Sequence, residues 1–124
     1  MRVAVMSDVH GFDLALDTVL TDVKRRGPFD AVVVAGDLFE VGPAPDRVLQ
    51  TLEAGEFVLL LGNTDRDLIE ATGDCWRRPA TEFALQQIGE AGLALLKRLP
   101  VRHRITPDGG ESPGDDLLVV HANP

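Results

Sequence analysis

The chain is short of cysteine, of basic residues and of long apolar runs, and each shortage removes a class of function. Cys75 is the only cysteine in 124 residues, so no internal disulfide and no Cys-rich zinc site can form, which fits a reducing compartment. Twelve Lys and Arg stand against twenty Asp and Glu, a formal net charge of -8. No diffuse positive field therefore draws in nucleic acid or an anionic membrane. Some of those carboxylates can serve as metal ligands, and bound divalent cations would reverse the local sign enough to attract a phosphate. No apolar run approaches the roughly 20 residues that cross a bilayer. The N-terminal run Val3 to Met6 is broken at once by Ser7 and Asp8, so it lacks a signal-peptide core and a cytoplasmic location is expected. Repeats and linkers are absent too, and residues 1–124 read as a single domain. A chain of this size buries roughly two-thirds of its unfolded surface, so it needs no structural metal and any metal would be functional.

What is present is an alternation of apolar strands and amphipathic helices. Val3 to Met6, Ala31 to Ala35 and Phe57 to Leu61 are short, near-continuous apolar runs that read as buried strands. Between the first two, Leu16, Val19, Leu20 and Val23 recur at helical spacing, with Asp13 placed to cap the start and Gly27-Pro28 to stop it after Lys24-Arg25-Arg26. Pro45 to Ala54 forms a second helix ended by Gly55. Strands of this kind joined by helices imply a parallel sheet with right-handed crossovers. Farther on, Arg66 to Ala71 suggests one or two helical turns, and Gly73 to Pro79 a loop. Thr81 to Leu99 suggests two helices meeting near Gly92, and Val101 to Ile105 with Leu117 to Val120 a hairpin around a Gly/Pro/Asp-rich loop.

The chemistry gathers at strand ends. Ser7-Asp8-Val9-His10-Gly11, Gly36-Asp37-Leu38 and Gly62-Asn63-Thr64-Asp65 each follow an apolar run, and His121 follows Leu117 to Val120. In open α/β sheets the ligand crevice lies at the carboxyl ends of the strands, so these clusters should converge. Asp, His and Asn without Cys form an oxygen and imidazole set suited to divalent Mn, Fe, Zn or similar ions. Singly, Asp8, Asp37 and Asn63 are ordinary helix caps or turn residues, but capping does not require a His at two strand ends.

These four blocks, with Phe39 to Pro43 after the second and Ala122-Asn123-Pro124 after His121, resemble the ordered signature of the calcineurin-like metallophosphoesterase superfamily. The resemblance implies an α/β sandwich of mixed sheets flanked by helices, in α-β-β-α layers. It implies hydrolysis of a phosphate ester, here a phosphodiester, by a hydroxide bridging two divalent metals, with Mn²⁺ the first choice and Fe, Zn, Ni or Co as alternatives. Asp8 and His10 match ligands of the first metal, Asp37 the bridge, and Asn63 and His121 ligands of the second. Asp37, Asn63, Thr64 and Asp65 match the catalytic positions.

Two departures shape the expectation. The family block commonly reads Gly-Asn-His-Asp or Gly-Asn-His-Glu, with a Cys-bearing phosphodiesterase subgroup, whereas here Thr64 takes the place of the His that assists the leaving group. A Thr hydroxyl is a poor general acid at neutral pH, so good leaving groups or phosphodiesters are favoured over alkyl monoesters. The later Gly-His-x-His block, which supplies a further His to each metal, is also absent from this sequence. An N-terminal piece of a longer domain is therefore expected, with an exposed sheet edge that invites a homo-oligomer.

The remaining polar residues read as supporting. His103, between Arg102 and Arg104, reads as solvated, Cys75 as an incidental thiol, and Gly42-Pro43 as a turn that positions the second helix. Trp76-Arg77-Arg78 is either a phosphate or base clamp or a surface anchor. The expected partner is a small-molecule phosphate ester, with no membrane and no nucleic acid. The alternatives are a non-catalytic scaffold of the same fold, like the retromer coat subunit, which predicts eroded ligands, and a nuclease, which calls for more basic surface.

Overall fold

The computed structural model describes residues 1–71, 79–107, 110 and 112–122. Strands β1 (Val3–Met6), β2 (Ala31–Val34) and β3 (Val58–Leu59) form a parallel sheet in the order β1-β2-β3. Val3 lies opposite Ala31 and Met6 opposite Val34, while Val33 and Val34 face Val58 and Leu59. Helix α1 (Asp13–Arg26) joins β1 to β2, and α2 (Pro45–Ala54) joins β2 to β3. Parallel neighbours require such crossovers because the chain must return to the same end of the sheet. Helices α3 (Asn63–Glu70) and α4 (Pro79–Leu96) follow, then an antiparallel hairpin of β4 (Arg102–Ile105) and β5 (Leu117–Val120).

Side chains alternate across β2, and this alternation sets the layers. Val34 enters a core with Leu16, Val48, Leu52, Leu68 and Ile88 from the helices. Val33 and Ala35 face the other way and meet Leu60 and Val119, the latter from the hairpin. Helices therefore cover one face of the parallel sheet and the hairpin covers the other, which explains a strand that is apolar at every position. Full burial of each such Val or Leu contributes roughly 1.5–3 kcal/mol. At the edge strand β1 the cover is incomplete, and Val5 is 52% exposed. No helix among the described residues is long and apolar enough to cross a membrane.

Several sequence expectations need correction. Asp13 is the first residue of α1 rather than its cap, and it reaches Arg47 of α2 at 3.5 Å instead. Strand β3 keeps only Val58–Leu59 of the five-residue apolar run. The helix expected from Arg66 starts at Asn63, because Gly62 and Asp65 complete its first turn. The break in α4 is at Gly89, with φ 57 and ψ -159, whereas Gly92 continues the helix buried against Ile88. His103 is half-buried on the inner side of the hairpin, opposite Val119, rather than solvated. Cys75 and Trp76-Arg77-Arg78 lie outside the described residues.

Candidate metal centre

The three parallel strands end together, and backbone hydrogen bonds continue past them. Asp8 N–H donates to the Gly36 carbonyl at 3.1 Å, His10 N–H to Asp37 at 2.8 Å and Gly11 N–H to Leu38 at 2.9 Å. This ladder holds Asp8, His10 and Asp37 in left-handed backbone conformations, with φ of 59, 51 and 57. Asp and His tolerate that region better than most residues, and three occurrences in one crevice mark a place where side-chain direction matters more than backbone ease. Gly36, with φ 89, lets the chains close up: a Cβ there would lie 2.6 Å from Gly62 N and 2.9 Å from His121 Nδ1. The hairpin brings in His121 from the other side of the sheet.

The two imidazoles are oriented in the same way. His10 Nδ1 lies 3.0 Å from the Glu40 carbonyl oxygen, and His121 Nδ1 lies 2.6 Å from that of Ala35. A carbonyl can only accept, so Nδ1 of each ring donates and Nε2 of the neutral ring offers a lone pair. His10 Nε2 faces Asp8 Oδ1 at 3.7 Å and Asp37 Oδ2 at 3.6 Å. His121 Nε2 faces Asp37 Oδ1 at 3.4 Å and Asn63 Oδ1 at 3.0 Å. The two oxygens of one carboxylate thus turn toward two separate rings, and acceptor atoms gather on both sides of Asp37, where the donors are the Thr64 N–H on Asp37 Oδ1 and the Ser7 hydroxyl on Asp8. Such a convergence is stable when a cation occupies it. Donor atoms of Asp8, Asp37 and His121 all lie within 4.8 Å of one another, a set able to hold a metal ion.

Asp65 and Thr64 are built differently from these. Asp65 has no solvent exposure, so its carboxylate lies beneath the site rather than open to a substrate. It accepts N–H groups from Asp37 and Leu38 at 2.8 Å and from Gly62 at 3.0 Å. Burial pushes its carboxyl above the usual carboxylate range, while the three donors pull it back and the nearby Asp37 charge adds to the rise. Thr64 donates its backbone N–H to Asp37 Oδ1 at 3.0 Å. Its side-chain Oγ1 is buried without a hydrogen-bond partner among the described residues.

Nothing in the sequence marks Glu40 or Ala35 as contributors, because each orients a His through its backbone carbonyl, which every residue type possesses. Glu40 is itself 5% exposed and accepts the Thr81 hydroxyl, anchoring the loop that bears that carbonyl to α4. Glu40 belongs to the Phe39 to Pro43 stretch of the signature, but its residue type alone assigns it no role.

A family model described as calcineurin-like phosphoesterase matches residues 1–123. The chain is 33% identical over 129 residues to the symmetrical bis(5'-nucleosyl)-tetraphosphatase of Acidovorax sp. (strain JS42), covering 98% of this chain and 44% of that protein. It is 33% identical over 131 residues to the protein of the same name from Paracidovorax citrulli (strain AAC00-1), with the same coverage of 98% and 44%. The chain therefore spans less than half the length of these relatives. Among solved structures, the metallophosphoesterase from Sphaerobacter thermophilus superposes with a TM-score of 0.66 at 28% identity, over 83% of this chain and 42% of that one.

Proposed function

Because the chain belongs to the calcineurin-like phosphoesterase family, we propose that it hydrolyses a phosphodiester or phosphoanhydride of a small nucleotide, with a bis(5'-nucleosyl) polyphosphate as the substrate class. The observation that carries this reading is the gathering of acceptors on both oxygens of Asp37, toward His10 on one side and His121 on the other. In the reading, Asp8, His10 and Asp37 hold one divalent cation and Asp37, Asn63 and His121 a second. Mn²⁺ is the first choice for this oxygen and imidazole set. Such ions, when bound, lower the pKa of water and neutralise charge on phosphate.

The chain's own residues do the rest. Asp37 shares its carboxylate between the two sides, the Glu40 and Ala35 carbonyls hold the rings, and Asp65 positions Asp37 from below without touching substrate. Thr64 supplies no proton to a leaving group, since its hydroxyl is neutral and buried. A phosphoanhydride suits that deficiency, since a departing nucleoside diphosphate is a phosphate with a pKa of about 6 and leaves as an anion at neutral pH. The names of the relatives support the same class. A scaffold role would leave the convergence of acceptors without a purpose. One cysteine and an acidic surface suit a reducing, cytoplasmic setting.

Purified protein assayed with Mn²⁺ against diadenosine tetraphosphate, a diester and an alkyl monoester tests the proposal. Turnover in the order phosphoanhydride, diester, alkyl monoester is expected. Preference for the alkyl monoester, or turnover indifferent to chelator, would overturn it.

A further inference from the structure

Two residues beside the metal centre are of the wrong type for their backbone. Phe12 is the N-cap of α1, with φ -94 and ψ 85, and makes no side-chain cap hydrogen bond. Ser, Thr, Asp or Asn would satisfy a free N–H at that position, and Phe cannot. Val41 has φ 100, a conformation in which glycine is at ease and a β-branched side chain is strained. Burial does not compensate either residue, since Phe12 is 47% exposed and Val41 64% exposed.

Both flank one crossing of the chain. Gly42 N–H donates to the His10 carbonyl at 2.6 Å and Ala44 N–H to the Gly11 carbonyl at 3.0 Å. Phe12 follows Gly11 and Val41 precedes Gly42, so each stands one residue from the point where the two segments meet. The same crossing carries His10 and the Glu40 carbonyl that orients it. Phe12 also lines a groove of about 170 Å³ with Met6, Val9, Leu16 and Val19, and Asp8 lines that groove as well. The groove is therefore continuous with the metal centre through Asp8. Local rules that fail together at one place, with no gain in packing among the described residues, point to a demand from function.

We propose that Phe12 and Val41 are the apolar contacts for the base of a nucleotide substrate, with a planar heterocycle seated against Phe12 in the groove beside Asp8. The inference rests on the phosphohydrolase reading above and extends it to the part of the substrate that carries no phosphate. An exposed phenyl ring offers a face on which any base can stack, and Val41 would add an apolar contact from the segment that crosses beside it. The acidic chain attracts the phosphates only where cations sit, so the base needs a separate, uncharged surface.

The test compares parent, Phe12→Ser and Val41→Gly proteins by thermal melting and by kcat/KM for diadenosine tetraphosphate against inorganic tripolyphosphate. A third measurement is calorimetric binding of a methylene-bridged, non-hydrolysable analogue of the dinucleotide. Serine restores a cap and glycine releases the strained φ, so both variants should melt higher than the parent. The preference for the dinucleotide over tripolyphosphate should nonetheless fall about ten-fold in each, in line with the energy of one base stack, and the analogue should bind more weakly. Variants that melt lower and keep the parent's preference would make the two residues structural and overturn the proposal. Failure of the parent to hydrolyse either substrate would instead strike the phosphohydrolase reading itself. Hydrolysis of both with an unchanged ratio strikes only the base site.

Discussion

The carboxylate of Asp65 accepts the backbone N–H of Asp37 at 2.8 Å from a position with no solvent exposure. Because the same carboxylate also takes Leu38 N–H and Gly62 N–H, it ties the end of β2 to the start of α3 and fixes the left-handed backbone of Asp37. Asp65→Ala would leave three buried donors unmet, each costing about 1–3 kcal/mol. Loss of roughly 3 kcal/mol or more in urea unfolding is the expected result, with Asp65→Asn milder because its carbonyl still accepts. A loss below about 1 kcal/mol would show that water or a neighbour replaces the clamp.

Asp37→Asn tests the bridge. Asp37 turns one oxygen toward His10 at 3.6 Å and the other toward His121 at 3.4 Å, closer to both rings than Asp8, which lies 3.7 Å from His10 and within 4.8 Å of His121. Replacing one oxygen by an amide NH₂ removes a charge from both sides and a donor atom from one. Calorimetric titration with Mn²⁺ should show affinity falling by well over the 10- to 100-fold typical of outer positions, for both ions together. Two ions bound as tightly as in the parent would assign the bridging role elsewhere.

Much of this arrangement is legible in the residues alone, and the illegible parts share a physical cause. The apolar runs at Ala31 and Phe57 identify parallel strands because a strand covered on both faces has no polar alternation to lose, and the run at Val3 shares the pattern although Val5 on that edge strand is exposed. Asp8, His10, Asp37, Asn63 and His121 stand out because their types recur at strand ends, and the structure brings all five to one crevice. What escapes notice is whatever acts through the backbone. The Glu40 and Ala35 carbonyls, the positive φ at Val41, and the helix beginning at Asn63 instead of Arg66 depend on tertiary hydrogen bonds and not on side-chain type. The helix break is read near Gly92 but falls at Gly89 for a related reason, since either glycine permits the bend and packing against Ile88 decides between them.

Gly36→Ala isolates the closeness of the chains. With φ 89, the new methyl would be strained before any contact, and it would then lie 2.6 Å from Gly62 N and 2.9 Å from His121 Nδ1. A cost of about 1–3 kcal/mol in stability is expected from the backbone. The readout specific to the site is His121, whose Nδ1–H bond to Ala35 at 2.6 Å must shift. Its imidazole proton resonances should move in the variant. Unmoved resonances together with parent-like melting would mean that the loop relaxes freely.

Asp116 gives the hairpin a pH dependence. Its hydrogen bond to Arg104 at 2.9 Å, and a further one from Thr106, hold its carboxyl below the ordinary value of 3.8. A carboxyl depressed in the folded state contributes stability above the unfolded value and loses it as pH falls through the lower folded value. Hydrogen exchange of the β4 and β5 amides should therefore quicken relative to the parallel sheet below about pH 4, and Asp116→Asn should remove that differential. An equal response in variant and parent would attribute the acid sensitivity to another group.

Thr64→His addresses the leaving group. Thr64 Oγ1 is buried and without a partner among the described residues, while its backbone N–H serves Asp37 Oδ1 at 3.0 Å. The substitution therefore adds a proton donor without removing the contact that orients the carboxylate. An alkoxide departing from an alkyl phosphate is strongly basic and gains from protonation, typically 10²- to 10⁴-fold where the donor is well placed. A nucleoside diphosphate or an activated aryl oxide departs readily without help, so its turnover should change little. The expected outcome is a rise of at least about ten-fold in kcat for an alkyl monoester, with less than about two-fold for diadenosine tetraphosphate, measured side by side with Mn²⁺. Equal gains on both substrates would mean that the new ring acts on binding or on the metals. No gain on either would remove leaving-group protonation from the explanation of why this chain carries threonine.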